Sequence, residues 1–320
     1  MCDAAPSSLR VRAAEPHDLD AVISVCERSL GWRDPEFDRS LFLWKHLENA
    51  FGPSLMLVAE LGETIVAVRT MMRWRFRDGA GEVRHAVRAV DTATAPEARG
   101  RGLFRSLTER AVEMLTDEGV HFVFNTPNEH SRPGYLRMGW VDAGRAPVGV
   151  RVSGISAVRR LARNRVAADK RSLVSDHGLD VDAIIDRVDL ERLALRTGSD
   201  GLGTDHDRET LLWRYSQGPI EYRAHPIGDD GALIFRLRTR GALRELVVAE
   251  RLGDVDAASE RAAIREVITA TGADHALSGA GTAGTSTIRR IGPRLTLRPL
   301  ASANPDPDHL RWSMGDLELF

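Results

Sequence analysis

The run Thr94-Ala95-Pro96-Glu97-Ala98-Arg99-Gly100-Arg101-Gly102-Leu103-Phe104 holds the densest chemical signal in the chain. A strand-like run ends at Thr94, two glycines permit a tight turn, and an apolar pattern of helical period begins at Leu103. The first turn of a helix carries unpaired N–H groups and the positive end of its dipole, which together make an anion site. Arg99, Arg101 and Arg105 add formal charge around it. That chemistry suits a diphosphate. A P-loop would end in Gly-Lys-Ser/Thr, and a dinucleotide fingerprint would space three glycines in an early strand–helix–strand unit; neither pattern is present. The plain alternative is a helix start with a glycine turn and surface arginines.

A second constellation follows at fixed spacing: Asn128, then Tyr135 seven residues on, then Gly139 and Trp140. With both in register, the stretch from about Leu9 to Val152 resembles the GNAT superfamily of N-acetyltransferases. Arg99 and Gly102 match the first and fourth positions of that family's Gln/Arg-x-x-Gly-x-Gly/Ala signature. Phe104 departs from the small residue at the sixth. Ser131 and Pro133 are looser fits, and Pro133 should shorten the helix after Asn128.

The resemblance implies acetyl-CoA as co-substrate. Its pyrophosphate would lie on Arg99, Gly100, Arg101, Gly102, Leu103, Phe104 and Arg105, with Asn128 close by. Ala93, Thr94 and Ala95 would offer a backbone N–H to the thioester carbonyl, and the Tyr135 phenol would protonate the departing sulfur. Read on its own, a tyrosine beside a helix is more often a packing residue. An acceptor alkylamine has a pKa of about 10, so a base or proton wire is required. Asp91, Glu60, Glu129, His85, His121 and His130 are all available in sequence. Asp91 is preferred because it lies on the strand that would line the acetyl site. Some tandem transferases of this type use the terminal carboxylate instead, and the chain ends at Phe320. No metal is needed, and no ligand cluster stands out.

The elements that must position these groups can be read from periodicity. Leu9 to Ala13 is a short strand. Leu19, Val22, Ile23, Cys26 and Leu30 mark a helix stopped by Gly31. Leu55 to Glu60 and Thr64 to Met72 form a hairpin across Leu61-Gly62-Glu63. A further run, Arg73 to Arg77, leads to a turn at Asp78-Gly79-Ala80-Gly81, and a strand resumes at Glu82. Leu103, Leu107, Ala111 and Leu115 give the helix after the glycine turn, and His121 to Asn125 the next strand.

At 320 residues and about 150 residues per domain, two domains are expected. These are a GNAT domain over 9–155 and a degenerate GNAT-like domain over 176–320, with a flexible tail over 1–8 and a basic linker helix over 156–175. The fold class is α/β, each domain a mixed, mostly antiparallel sheet flanked by helices. Leu211-Leu212-Trp213-Arg214-Tyr215 echoes Phe42-Leu43-Trp44-Lys45-His46, and a second helix runs from Ser259 to Thr271. In the second half Asp254 and Asp256 stand where the arginine–glycine turn would be, and Ile288 stands for Tyr135. That copy should bind no CoA.

A net charge of −2 argues against bulk attraction to DNA or an anionic membrane. Only Cys2 and Cys26 are present, too few for a disulfide framework or a cysteine zinc site. The expected partner is a small-molecule amine such as an amino sugar or amino acid, met by a cytoplasmic monomer or homodimer. Two alternatives remain at this stage. One is aminoacyl transfer from charged tRNA, which would need the basic Arg159 to Ser172 segment as a track. The other is a CoA-binding sensor without turnover.

Overall fold

Ala67 and Met71 join the apolar cluster around the Leu103 helix, while Ile65 and Val68 join the one around the first helix. This strand of the first half therefore has two distinct apolar faces, with a break in the alternation at Val66, where its pairing shifts register between Ala59 and Glu60. The computed structural model describes residues 9–163, 166–188 and 201–318. The tail with Cys2, Asn164 and Arg165 of the basic segment, and the Phe320 carboxyl group lie outside the described residues.

The first half runs β1 (Leu9–Ala13), α1 (Leu19–Leu30), α2 (Pro35–His46), β2 (Leu55–Leu61), β3 (Thr64–Asp78), β4 (Val83–Thr94), α3 (Leu103–Asp117), β5 (Phe122–Asn125), α4 (Arg132–Arg137), β6 (Val141–Arg145) and β7 (Val148–Val152). The two apolar runs expected over 64–72 and 73–77 are one strand, because Arg73, Arg75 and Arg77 do not break the pairing. α2, which periodicity did not single out, starts with Pro35 at its first turn and with the Asp34 carboxylate accepting from the Phe37 N–H at 3.3 Å. α4 has only six residues and carries Pro133 in its first turn.

The second half runs α5 (Ile155–Arg163), α6 (Val181–Ile185), β8 (Leu202–Thr204), α7 (Arg208–Tyr215), β9 (Arg223–Ile227), β10 (Gly231–Arg240), β11 (Leu243–Leu252), α8 (Ala257–Thr271), β12 (His275–Gly279), β13 (Ser286–Ile288), β14 (Arg294–Pro299), β15 (Leu310–Arg311) and α9 (Met314–Leu317). The linker helix expected over 156–175 is α5 alone. Past it the backbone is taken up by β10 instead: the Asp169 and Leu173 N–H groups donate to the Thr239 and Leu237 carbonyls, each at 2.8 Å.

The compact units interleave rather than divide at one boundary. One takes the chain up to Arg75, Arg84–Ala143 and Leu295–Asn304; the other takes Phe76–Val83, Gly144–Arg294 and Pro305–Phe320. In the first, the sheet runs β1-β2-β3-β4-β5-β14-β6. β14, from late in the chain, pairs antiparallel with β5 from Thr296↔Asn125 to Pro299↔Phe122. In the second, the sheet runs β13-β7-β12-β11-β10-β9, so β7 from the first half sits inside it. Contiguous halves were expected because sequence periodicity identifies strands and says nothing about which sheet each joins.

Both units contain a strand, a helix and a parallel strand in succession: β4-α3-β5 in one and β11-α8-β12 in the other. The echoing pentapeptides also correspond, each ending a helix, α2 and α7. The parallel drawn between Ile288 and Tyr135 does not hold. Tyr135 is buried on a helix, whereas Ile288 is exposed on a short strand paired to β7.

Candidate active site

The turn between β4 and α3 is built from backbone that only glycine adopts readily. Gly100 and Gly102 have φ of 78° and 74°, and a Cβ on either would meet nothing within 4 Å, so the turn lies open. Its backbone hydrogen bonds pause here. The Arg99 N–H reaches the Pro96 carbonyl at 3.3 Å, and the next donor is Arg105, to Gly102 at 3.0 Å. Among the described residues the N–H groups of Gly100, Arg101, Gly102, Leu103 and Phe104 therefore have no backbone acceptor. The first turn of α3 holds no acidic residue and no side-chain cap. A groove of about 390 Å³ adjoins Gly102, Arg105 and Ser106. The glutamates lining it are neutralised, Glu109 by Arg105 at 2.8 Å and Glu113 by Arg110 at 3.0 Å.

The matching helix of the second unit is the contrast. At the start of α8 the Asp256 carboxylate accepts from the N–H groups of Ala258 at 2.8 Å and Ser259 at 3.0 Å. The hydrogen bonds from Ser259 hold that carboxyl below its usual range. The protein's own anion thus fills the place that is open at α3.

β4 and β5 pair only from Ala86↔Phe122 to Arg88↔Phe124. Beyond that, β4 continues to Thr94 while β5 stops at Asn125, whose side chain bonds Thr296 of β14. From there to Thr94 this edge of β4 has no β5 partner. The Ala95 N–H donates to the Val66 carbonyl of β3 at 2.8 Å, which removes it from the set of donors expected over Ala93, Thr94 and Ala95. Successive N–H groups along a strand face opposite edges, so the Thr94 N–H faces the open one. The Thr94 carbonyl already accepts from Ser29 Oγ at 3.1 Å. Ala93 is packed in the apolar cluster around α1 and α2.

Tyr135 is buried on α4, edge-on to Phe104 at 5.2 Å and tilted against Trp140 at 5.1 Å. Its Oη accepts from Arg69 Nη1 at 2.7 Å. Phe104 is turned towards α4, where its ring would lie 2.9 Å from a Cβ on Gly134; it is directed at Tyr135 rather than across the glycine turn. Gly139 explains the Gly-Trp pair: its φ is 89°, and a Cβ there would approach Arg298 Nη1 to 2.7 Å. Asn128 folds its own loop, accepting from the His130 and Ser131 N–H groups at 3.1 and 2.9 Å, so only its Nδ2 is left for a ligand.

Asp91 lies apart from Tyr135 in its chemistry. It is the one described non-glycine residue with positive φ, 41°, a strained backbone. It pairs with the buried Lys45 and with His46 Nε2 at 2.9 Å, while His46 Nδ1 meets Ser54 Oγ at 2.8 Å. Burial works against its charge, but Lys45 and His46 prevail and hold the carboxyl far below the ordinary range. Burial in turn lowers His46, keeping it neutral. Asp91 as general base is not carried further: a carboxyl whose charged form Lys45 and His46 favour is a weak proton acceptor.

Of the other base candidates, Glu60 is held by Arg12 at 2.9 Å. His85 and His121 lie together, rings 6.2 Å apart, at the paired end of β4 and β5. Glu129 and His130 are exposed between β5 and α4.

Lys45, His46, Arg69 and Thr92 were not singled out from sequence. Arg69 did leave a trace, as the one charge inside the apolar Thr64–Met72 run. In the second unit, His177, His225 and Glu266 bring one ligand atom each within 4.8 Å of the others; none of them belongs to the glycine turn or to the group around Tyr135.

Residues 10–142 match the family model described as an acetyltransferase (GNAT) domain. No curated protein matches the sequence at a significant level. Among solved structures, a GCN5-related N-acetyltransferase from Kribbella flavida is 20% identical with a TM-score of 0.66, covering 92% of this chain and 71% of its own. A probable N-acyltransferase from Enterococcus faecalis is 13% identical with a TM-score of 0.62 over 92% and 73%. Eis1 from Mycobacterium abscessus is 13% identical with a TM-score of 0.54 over 92% and 74%. These similarities establish the fold, and the sequence match names its first part: residues 10–142 are a GNAT acetyltransferase domain.

Proposed function

We propose that this domain transfers the acetyl group of acetyl-CoA to a primary amine of a small metabolite, with both substrates bound at once. The observation that carries the reading is the row of unaccepted N–H groups from Gly100 to Phe104 at an uncapped helix start. A diphosphate fits there, and the capped start of α8 is its natural control. When bound, acetyl-CoA supplies an activated thioester. Around it, Gly100 to Phe104 bind the pyrophosphate through main-chain donors, with Arg99 and Arg101 adding charge and Arg105 offsetting Glu109 beside it. Thr94 directs its N–H to the carbonyl oxygen. Tyr135 gives its phenol proton to the sulfur as the carbon–sulfur bond breaks and the carbon–nitrogen bond forms, and recovers a proton from solvent. The amine nitrogen loses its proton to water.

One observation favours this reading over transfer from charged tRNA: the open glycine turn. The second unit, with Asp256 across its helix start, serves in this account as a degenerate copy that binds no CoA.

The test is release of free thiol from acetyl-CoA across a panel of primary amines. Tyr135→Phe should lower turnover about 100-fold and weaken CoA binding by no more than about three-fold. Undiminished turnover removes Tyr135 from the mechanism, and binding without release by the wild type turns the protein into a sensor.

A further inference from the structure

Arg69 is fully buried on β3, and no carboxylate among the described residues pairs with it. Its guanidinium faces two rings, Tyr135 at 5.3 Å and Phe104 at 5.8 Å. Nη1 donates to both the Tyr135 Oη and the Thr92 Oγ1, and Nη2 lies 3.9 Å from Met71 Sδ. A cation buried without a counter-charge is costly. An anion that arrives during the reaction would offset that cost.

Arginine has five N–H donors and no acceptor, so both hydroxyl oxygens must accept from it. Each hydroxyl keeps its own hydrogen, and among the described residues neither hydrogen has an acceptor. Arg69 therefore presents two oriented O–H donors, one on α4 and one on the free stretch of β4, with a positive charge behind them.

We propose that Arg69, Thr92 and Tyr135 form a sulfur-binding subsite that grips the CoA thiol and its thiolate. Tyr135 and Thr92 donate to the sulfur; Arg69 is a positioning residue acting through both. This rests on the acetyltransferase reading above and adds Thr92 and Arg69 to it. The thiolate produced by transfer is the anion that balances the buried guanidinium, and Tyr135 then supplies its proton.

The experiment is equilibrium titration calorimetry with CoA and desulfo-CoA, which differ only at the sulfur, and needs no turnover. The wild type should bind CoA about tenfold more tightly than desulfo-CoA, as expected for hydrogen bonds to a group with charged character. Thr92→Val, near-isosteric, should cut that preference to about three-fold. Arg69→Met should abolish it, and Arg69→Lys should restore part of it. Adding Arg69→Met to the Thr92→Val, Tyr135→Phe pair should lower the preference no further, whereas a merely structural arginine would lower affinity for both compounds alike. Thermal unfolding of each variant identifies misfolding, and Thr92→Val alone decides the matter should Arg69→Met fail to fold. Equal binding of the two compounds by the wild type, or an unchanged preference in Thr92→Val, overturns the subsite. Absence of binding to either compound overturns the acetyltransferase reading and the subsite with it.

Discussion

At the scale of single residues, the site separates two acidic roles by environment. Tyr135 keeps its phenol against Arg69 and two aromatic rings. Asp91 is locked into a charged pair with Lys45, with the neutral His46 bonded to it. The sign of the Asp91 effect is fixed: its carboxyl is held low, so it remains ionised throughout the working range and contributes no step to a pH profile. With Asp91 set aside as the base, the reactive species in this account is the free amine. The value of kcat/KM should then rise about tenfold per pH unit towards the amine's own pKa near 10. A plateau setting in near neutrality would show that a protein base acts after all. Tyr135 was legible in sequence because its spacing to Asn128 and Gly139 is a pattern. Lys45 and His46 were not, because their importance arises from α2 packing against the strained backbone at Asp91, a contact with no local signature.

At the scale of elements, one helix start is open and its counterpart is closed. Gly102 leaves α3 uncapped, whereas Asp256 caps α8. This difference was readable in the chain, since glycine and aspartate at that position have opposite consequences for an anion. The consequence of Phe104 was not readable. Its bulk suggested an obstruction, but the direction of an aromatic ring depends on its neighbours. Gly134 leaves it room and Tyr135 gives it an edge to pack on. Phe104 is only partly buried, so Phe104→Ala should destabilise the unit by less than the about 3–5 kcal/mol of a fully buried ring and lower turnover by loosening Tyr135, with no gain in CoA affinity. Differential scanning calorimetry and CoA titration check the two halves. Tighter CoA binding by Phe104→Ala would show that the ring does obstruct the turn.

At the scale of the whole molecule, the order of strands departs most from what the chain discloses. Helix periods, hairpin turns and the β4-α3-β5 unit are local and were legible. The insertion of β14 beside β5 is not local, because Asn125 and its partner Thr296 are 171 residues apart and strand pattern carries no address. Without β14, Asn125 loses Thr296 and the Gly139-Trp140 turn loses Arg298. A chain ended at residue 155, the boundary suggested by sequence, should be aggregation-prone or melt well below the full protein. A truncated chain as stable as the full one would mean that β14 is dispensable. The central claim is that backbone amides just past Arg99 hold the diphosphate of CoA, and titration calorimetry of CoA into the wild type and Gly102→Asp tests it most directly. The introduced side chain would set a carboxylate beside the open N–H groups of α3, at a φ of 74° that aspartate tolerates better than most residues but at a cost in stability. The account predicts one CoA per wild-type chain, and at least tenfold weaker binding by Gly102→Asp with a cooperative thermal transition retained. Two sites per chain, or undiminished affinity in Gly102→Asp, would contradict it.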